Sequence, residues 1–554
     1  MQSFYNELIQ VLKEKKLSQE EFSKYKNKLC KKYGIKKIPS NTQILLNVDH
    51  KLLEETKIIT KPVRSISGVS VVAVMSAPFA CPHGKCTYCP GGPGSVYGNV
   101  PQSYTGHEPS TMRGIRNNYD AYLQVFNRLE QYIAIGRVPD KVELIIMGGT
   151  FPSFDKEYQN SFVRDCYMAM NDFGKLFFPN NKFNIDIYKD FFEMPGDLAD
   201  KERVNRVKQK MFNLKKELTL EEVKKENETA KIRCIGLTEE TKPDWAFLEH
   251  GNLMLEHGCT RVELGVQTVY DEILKATHRG HTIQDTIKSI RVLKDLGFKV
   301  NAHLMPGLPG VTKEKDIEGL QEIFKNPDYR PDLLKIYPCM VAPGTALYNL
   351  YKKGKFKPLN TQEAAEIIAE FKKTVPEYCR IQRIQRDVPT KQWEAGVGMT
   401  NLRQYIHEKY DIQCKCIRCR EPRGKQVNWN EMKLVVREYD ASKGKEFFIS
   451  YESEKTILGF CRLRIPSECL REEITKKTSI IRQVHVYGEA IEIGKEGGEV
   501  QHKGIGMSLV KKAEEISLEQ KKNKVLVISG VGVKEYYRML GYTDDGPYVS
   551  KILK

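Results

Sequence analysis

No stretch of the 554-residue chain offers the roughly twenty consecutive apolar residues that a membrane-spanning helix needs. Its opening residues also lack the charged-then-apolar order of a secretory leader. The expectation is a cytoplasmic protein with no membrane partner, in which the glycosylation match Asn227-Glu-Thr229 is idle. Acid is in short supply. Asp and Glu number 71 against 88 Lys and Arg, so the net charge is +17. That excess favours a polyanionic partner, nucleic acid first, over an ordinary lysine-rich surface. The 14 cysteines include two tight clusters, which points to metal. Hydrophobic residues make up 40% of the chain, enough for large cores, and the length suits three or four domains.

The first cluster is Cys81-Pro-His-Gly-Lys-Cys86-Thr-Tyr-Cys89, spaced C-x4-C-x2-C. Thiolates hold iron–sulfur clusters. Three thiolates on a four-iron cube leave one iron open, and S-adenosylmethionine (SAM), a carrier of radical chemistry, can bind there. Gly91-Gly-Pro-Gly94 follows, where the backbone must wrap closely around a cofactor. The competing reading is a zinc knuckle with His83 as fourth ligand.

Residues 1–60 read as basic helices. Ser18-Gln-Glu-Glu21 is a capping box, and lysines between apolar residues would either grip RNA phosphates or form an ordinary exposed face. Residues 61–68 read as a linker. From Val69 the chain alternates β-rich runs (69–75, 142–147, 233–238, 261–266, 299–304, 333–337) with helical periodicity, which predicts a parallel sheet or barrel within residues 61–375. Polar residues and glycines gather after each run, at the working end of such barrels. Residues 172–232 break the rhythm and read as a charged helical insertion, more a solvated excursion than an RNA contact.

Residues 376–430 read as a basic linker. Arg380, Arg383, Arg386 and Lys391, with Trp393 among them, suit a single-stranded RNA loop. Cys414-Lys-Cys416-Ile-Arg-Cys419 offers three ligands to a structural zinc with no fourth assigned, or else oxidisable thiols. Residues 431–554 predict meandering antiparallel strands, then Gln501-x-x-Gly504-x-Gly506 opening a helix. Free amides at a helix N-terminus bind phosphate. This loop resembles the pyrophosphate loop of the GNAT-like acetyltransferase superfamily, whose ligand is acetyl-CoA. In such folds the edge corresponding to Gln483-Val484-His485-Val486 pairs with pantetheine amides, and Tyr537 is placed to meet the thioester.

A SAM-radical domain joined to an acetyltransferase domain resembles the catalytic subunits of Elongator, which modify tRNA wobble uridine. The resemblance runs through Cys81-Pro-His with Cys86-Thr-Tyr-Cys89, Asp140-Lys141-Val, Ile146-Met-Gly-Gly-Thr-Phe151, His303-Leu-Met-Pro-Gly-Leu-Pro-Gly310 and Arg383-Ile-Gln-Arg-Asp-Val-Pro389. It continues through His485-Val-Tyr-Gly488, Gln501-His with Gly504-Ile-Gly506, and Ile528-Ser-Gly-Val-Gly532 with Tyr536-Tyr537. The first cysteine spacing is shorter than in many eukaryotic members. The resemblance implies a partial (β/α) barrel of radical-SAM type, a short zinc-binding linker and a GNAT-like mixed α/β domain. It implies a 4Fe-4S cluster on Cys81, Cys86 and Cys89, with Gly148, Gly149, Thr150 and Glu263 at SAM. It places acetyl-CoA at Gln483–Val486, Gln501, Gly504, Ile505, Gly506, Met507 and Tyr537, with Lys141, Tyr536 and Tyr537 as catalytic residues. In the implied reaction, reductive cleavage of SAM leads to a radical on the acetyl-CoA methyl group. That radical adds to C5 of uridine 34, and thioester hydrolysis leaves a carboxymethyl group. Arg383 and Arg386 would hold the anticodon loop, and accessory Elongator-like subunits are implied partners. The alternative is a protein lysine acetyltransferase with a structural iron–sulfur domain.

Overall fold

The computed structural model describes residues 2–14, 17–35, 38–39, 44, 68–194, 196, 200–386, 388–422, 427–487 and 504–554. The linker at 61–67 and the loop residue Gln501 lie outside them.

Two short helices, Gln2–Glu14 and Gln19–Lys32, open the chain, and the second carries the expected capping box between Ser18 and Glu21. They close a small core of their own around Phe4, Leu8, Leu12, Phe22 and Leu29.

Seven parallel strands then form an open half-barrel: β1 (Val69–Met75), β4 (Lys141–Met147), β5 (Arg233–Thr241), β6 (Cys259–Gln267), β7 (Lys299–Leu304), β8 (Leu333–Ile336) and β9 (Arg380–Ile384), adjacent in that order. A small hairpin, β2 (Gly92–Ser95) and β3 (Gly98–Val100), follows the first cysteine cluster. Strands β6 and β8 are buried along nearly their whole length, as a parallel sheet covered on both faces requires. The sheet runs past residue 375. β9 pairs with β8, so the start of the expected linker belongs to the barrel.

The expected solvated excursion at 172–232 is instead a helical layer seated on the barrel. Phe173, Phe177, Tyr188, Phe192, Val207, Met211 and Val223 are buried in the main core, with the Phe173 and Phe177 rings 4.6 Å apart. Its bases are largely consumed at home: Arg206 and Lys210 meet Glu193, and Lys215 meets Asp165 at 2.6 Å.

The C-terminal sheet orders its strands β10 (Lys433–Ala441), β11 (Gly444–Glu452), β12 (Ile457–Ile465), β13 (Thr478–Val486), β14 (Lys524–Val527), β16 (Tyr548–Ile552) and β15 (Thr543–Asp545). Only the β13–β14 pair is parallel, and it extends just from Thr478↔Lys524 to Ile481↔Val527. Beyond that point residues 482–486 have β12 on one side, while the chain after β14 leaves for the barrel. Gly530 lies so close to β5 that a Cβ there would fall 2.2 Å from the Ile235 carbonyl oxygen.

Charge joins the two sheets. Arg482 is the extra residue of a β-bulge, since β12 and β13 pair Arg462↔Gln483 and then Leu463↔Ile481. A bulge re-aims a side chain. This one sends the guanidinium into the barrel, where it donates to both oxygens of Asp332 (2.6 and 2.8 Å) and to the Phe298 carbonyl. Glu446, Lys294, Arg462, Arg464 and Asp295 complete a network whose members are all buried. Burial alone would raise the Asp332 carboxyl, but Arg482, Lys294 and Arg462 outweigh it and hold the group ionised, well below the usual range. Breaking a buried pair from one side leaves an uncompensated charge, at a cost of about 3–5 kcal/mol. Asp332→Asn should therefore lower the urea midpoint of the joined domains. A midpoint indistinguishable from the parent would refute the network's structural role. Because the folded pKa lies below the unfolded one, the Asp332 contribution is complete above about pH 4 and fades on acidification below it.

Candidate active site

Strand β1 delivers the cysteine loop to the C-terminal end of the half-barrel. Its last residue is pinned by the Gln124 amide, which accepts from the Met75 N–H at 2.8 Å and donates to the Met75 carbonyl at 2.9 Å. The loop is then tied by Gly84 N–H to the Cys81 carbonyl, Cys89 N–H to the Cys86 carbonyl and Thr87 N–H to the Thr277 carbonyl. Cys81 Sγ lies 3.7 Å from Thr150 Oγ1. Cys86 Sγ meets His83 Nε2 at 3.2 Å and Arg279 Nη1 at 3.7 Å. Cys89 Sγ accepts from the Ser103 N–H at 3.2 Å.

The donor set fits a cluster better than a single ion. Among the described residues, the sets whose ligand atoms all fall within 4.8 Å are Cys414/Cys416/Cys419 and Glu240/Glu263/His303; the loop trio is not one of them. Sulfurs standing further apart suit a multi-iron core. Burial first, then the neighbouring Cys86, pushes the Cys89 thiol up to about 11, so its thiolate needs a positive partner such as bound metal.

Around the thiols stand buried polar atoms with no hydrogen-bond partner in the protein: Ser76 Oγ, His83 Nδ1, Gln267 Oε1, Arg279 Nε and both ring nitrogens of His281. Orphans of this kind call for a polar ligand. Gln267 has φ +71, an uncommon conformation for a side-chain-bearing residue, at the end of β6. Gly148 and Gly149 both have positive φ, and a Cβ on Gly148 would lie 2.0 Å from Ser76 Oγ. Gln267, Arg279 and His281 were not anticipated. Each is a lone polar residue at a strand end or in a loop, and only position reveals it.

Deeper in the lumen lies a second group. Glu263 on β6 accepts from Asn301 Nδ2 (3.1 Å), contacts His303 Nε2 at 3.0 Å and pairs with Lys335 Nζ. Lys335 also lies 3.8 Å from Glu240, which accepts from the Tyr104 hydroxyl at 2.7 Å. Burial would raise the Glu263 carboxyl, but Lys335, His303 and Arg261 hold it well below its ordinary value. Glu240, Glu263 and His303 could chelate a cation by distance, but the Lys335 ammonium already stands among them. Both Glu263 oxygens are thus engaged by protein side chains.

The C-terminal candidates gather partly. Gly504 has φ +65 and caps the helix Ile505–Glu519. A Cβ on Gly506 would meet Tyr536 Oη at 3.1 Å and Val486 Cγ2 at 3.7 Å, so the strand end, the helix start and the Tyr536 hydroxyl converge. Met507 is exposed nearby. Gln483 accepts from Arg462 Nε, and Val484 and His485 pair with Cys461 and Phe460 on β12. Burial pushes His485 down to about 4. Tyr537 is packed in the C-terminal core between the Tyr536 and Tyr542 rings, so the hydroxyl facing the loop is that of Tyr536. Lys141 begins β4, at the end of the barrel away from the cysteine loop. It is one strand from Arg233, against which Gly532 packs.

Arg380, expected on RNA, is instead directed inward and paired with Glu421 at 2.5 Å. Arg383 lies on β9 opposite Lys335, Arg386 stacks 5.6 Å from the Tyr337 ring centre, and Lys391 is exposed. His407 Nε2 lies 3.9 Å from Cys419 Sγ, beside the tight Cys414/Cys416/Cys419 set, and contacts Lys372 Nζ at 2.8 Å.

A half-barrel with three loop thiols at its C-terminal end is the architecture of a radical-SAM enzyme, and residues 75–322 match the Radical SAM superfamily. Residues 331–411 match the Radical_SAM C-terminal domain and residues 1–66 the ELP3 N-terminal domain. The chain is 46% identical over 535 residues to tRNA uridine(34) acetyltransferase of Methanocaldococcus jannaschii, covering 93% of this chain and 91% of that one. It is 38% identical over 553 residues to human Elongator complex protein 3, covering 96% and 93%. The solved structure of Methanocaldococcus infernus Elp3 lacking residues 1–46 superposes with a TM-score of 0.71 at 40% identity, covering 88% of this chain and all of that one. The chain belongs to the Elongator complex protein 3 family. Membership implies a 4Fe-4S cluster and SAM, and Cys81, Cys86 and Cys89 are the thiols placed to hold the cluster. A Cβ at Gly149 would stand 3.2 Å from Gln102 Cβ on a backbone with φ +100. Gly149→Ala should therefore weaken SAM binding by about fivefold or more, as strain of about 1–3 kcal/mol predicts. Unchanged affinity in anaerobic calorimetry would refute that placement.

Proposed function

We infer that this protein carboxymethylates C5 of the wobble uridine of tRNA, using SAM and acetyl-CoA. The observation that carries the reading is one chain holding both a three-thiol half-barrel and a split β13–β14 edge beside a glycine-capped helix. The near-full-length relatives named tRNA uridine(34) acetyltransferase support the substrate. When bound, the cluster and SAM supply a radical able to take hydrogen from an acetyl methyl group. Thr150, Gly148 and Gly149 orient the amino acid moiety, and Arg279 and Gln267 offer it polar contacts. The free edge of Gln483–Val486 pairs with pantetheine amides as an added strand would. Amides of Ile505, Gly506 and Met507, with Gln501, cradle the pyrophosphate. Tyr536 faces the thioester end, and Lys141 takes a phosphate or carbonyl of the same ligand. Arg383, Arg386 and Lys391 hold the anticodon loop while the uridine leaves its stack. The C-terminal sheet thus acts as a GNAT-like acetyl-CoA domain. Cys414, Cys416 and Cys419 form a zinc site whose fourth ligand is His407, replacing its contact with Lys372. A cytoplasmic setting and Elongator-like partner subunits complete the reading.

Two tests follow from this arrangement. Anaerobically reconstituted protein given SAM, acetyl-CoA labelled in the methyl carbon and total tRNA should yield labelled carboxymethyluridine on nucleoside mass spectrometry, and Cys86→Ala should yield none while still binding tRNA. Rapid acetylation of a lysine peptide without SAM, and no modified uridine, would favour the lysine acetyltransferase reading. Metal analysis should find one zinc per chain, lowered in His407→Ala. Equal zinc in both proteins would remove His407 from the site.

A further inference from the structure

His303 is half-buried on β7, three strands from β4 in the sheet order, and faces Glu263 on the neighbouring β6. Its Nε2 is 3.0 Å from Glu263 Oε2, and Nδ1 has no hydrogen-bond partner among the described residues. The ring packs edge-to-face on Tyr337 at 5.6 Å, and Arg386 covers the same tyrosine at 5.6 Å. An imidazole oriented by a carboxylate through one nitrogen, with the other facing open space, is the geometry of a base that activates a nucleophile. The carboxylate stays ionised because Lys335 pairs with it, and burial first, then Lys335, keeps the imidazole neutral. A neutral ring can accept a proton.

The reaction proposed above needs a group that opens the thioester once the new carbon–carbon bond exists. We propose that His303, oriented by Glu263, is the general base that activates water to hydrolyse the uridine-linked thioester. This rests on the wobble-uridine reading above. Nδ1 takes a proton from water as the water oxygen bonds to the acyl carbon. The C–S bond then breaks, and the proton passes to the departing CoA sulfur, leaving the carboxymethyl group and free CoA thiol. Glu263 remains a carboxylate throughout, and no electron is gained or lost. Position supports the assignment: Arg386, a candidate RNA contact, is one ring away, so the dyad lies beside the residues proposed to hold the anticodon loop.

The test is a single-turnover reaction of reconstituted His303→Ala and His303→Gln with SAM, acetyl-CoA and tRNA. Both variants should release 5′-deoxyadenosine within twofold of the parent. Carboxymethyluridine should fall about 100-fold or more, the usual weight of a general base, and a CoA-linked nucleoside should accumulate in RNA mass spectrometry. Added imidazole should restore the carboxylate product in His303→Ala. His303→Gln guards against a packing defect, since its amide can still reach Glu263. Parent-like carboxymethyluridine from either variant would overturn the proposal. So would loss of 5′-deoxyadenosine in folded, tRNA-binding variants, which would place the dyad in the radical step. If the parent itself makes no modified uridine, the underlying reading fails, and this inference with it.

Discussion

The Arg482–Asp332 pair is the contact on which the architecture turns. A guanidinium in a strand normally follows the pleat. Here the bulge at β13 lets it leave its own sheet and enter the barrel, where Asp332, Glu446 and the Phe298 carbonyl receive it. Gln483, the first residue of the proposed acetyl-CoA edge, follows directly and is held by Arg462, another member of the same network. The register of that edge is therefore fixed by a charge in the other domain. Buried ion pairs contribute little net stability, but they are intolerant of misalignment. This suits a joint that must set two ligand sites relative to each other.

The split between β13 and β14 has a related origin. Strand β14 stops at Val527, and Gly530 and Gly532 bring the following chain onto the start of β5, at distances only glycine allows. The same docking that joins the domains pulls the chain away from β13 and leaves residues 482–486 with one strand neighbour among the described residues. An open edge is ordinarily a liability. Here the start of the helix Ile505–Glu519 and the Tyr536 hydroxyl stand beside its end at Val486, where the proposed acetyl-CoA site needs an extended edge.

Much of this was legible in the chain itself. The parallel strands announce themselves as β-branched apolar runs, and C-x4-C-x2-C needs no context. Strand β9 was hidden because Arg380-Ile-Gln-Arg-Ile384 alternates charge with apolar residues, its polar members meeting Glu421 and Asn301 inside the protein. The layer at 172–232 was misread because its bases are dense in sequence, whereas Phe173, Phe177, Tyr188 and Phe192 meet only once the helices fold over one another. Glu263, His303 and Lys335 come from three strands, and nothing local links them. Register does: Glu263 stands opposite Asn301, and His303 opposite Lys335.

The lumen also explains where the excess positive charge must reside. Several cations of the barrel have an acid within reach: Arg380 with Glu421, Arg261 with Glu143, and Lys335 with Glu263 and Glu240. At the domain joint, Arg482, Arg462, Arg464 and Lys294 are nearly matched by Asp332, Glu446 and Asp295. Unpaired charge in a low-dielectric interior would cost several kcal/mol per ion. A chain of net charge +17 must therefore carry its surplus outside these networks, where water and a polyanion can meet it. The interior pairs leave His303 neutral and Glu263 ionised, while the surplus charge outside them is available to the proposed tRNA substrate. Attraction of the substrate and control of protonation at the reacting groups are thus separated by burial alone.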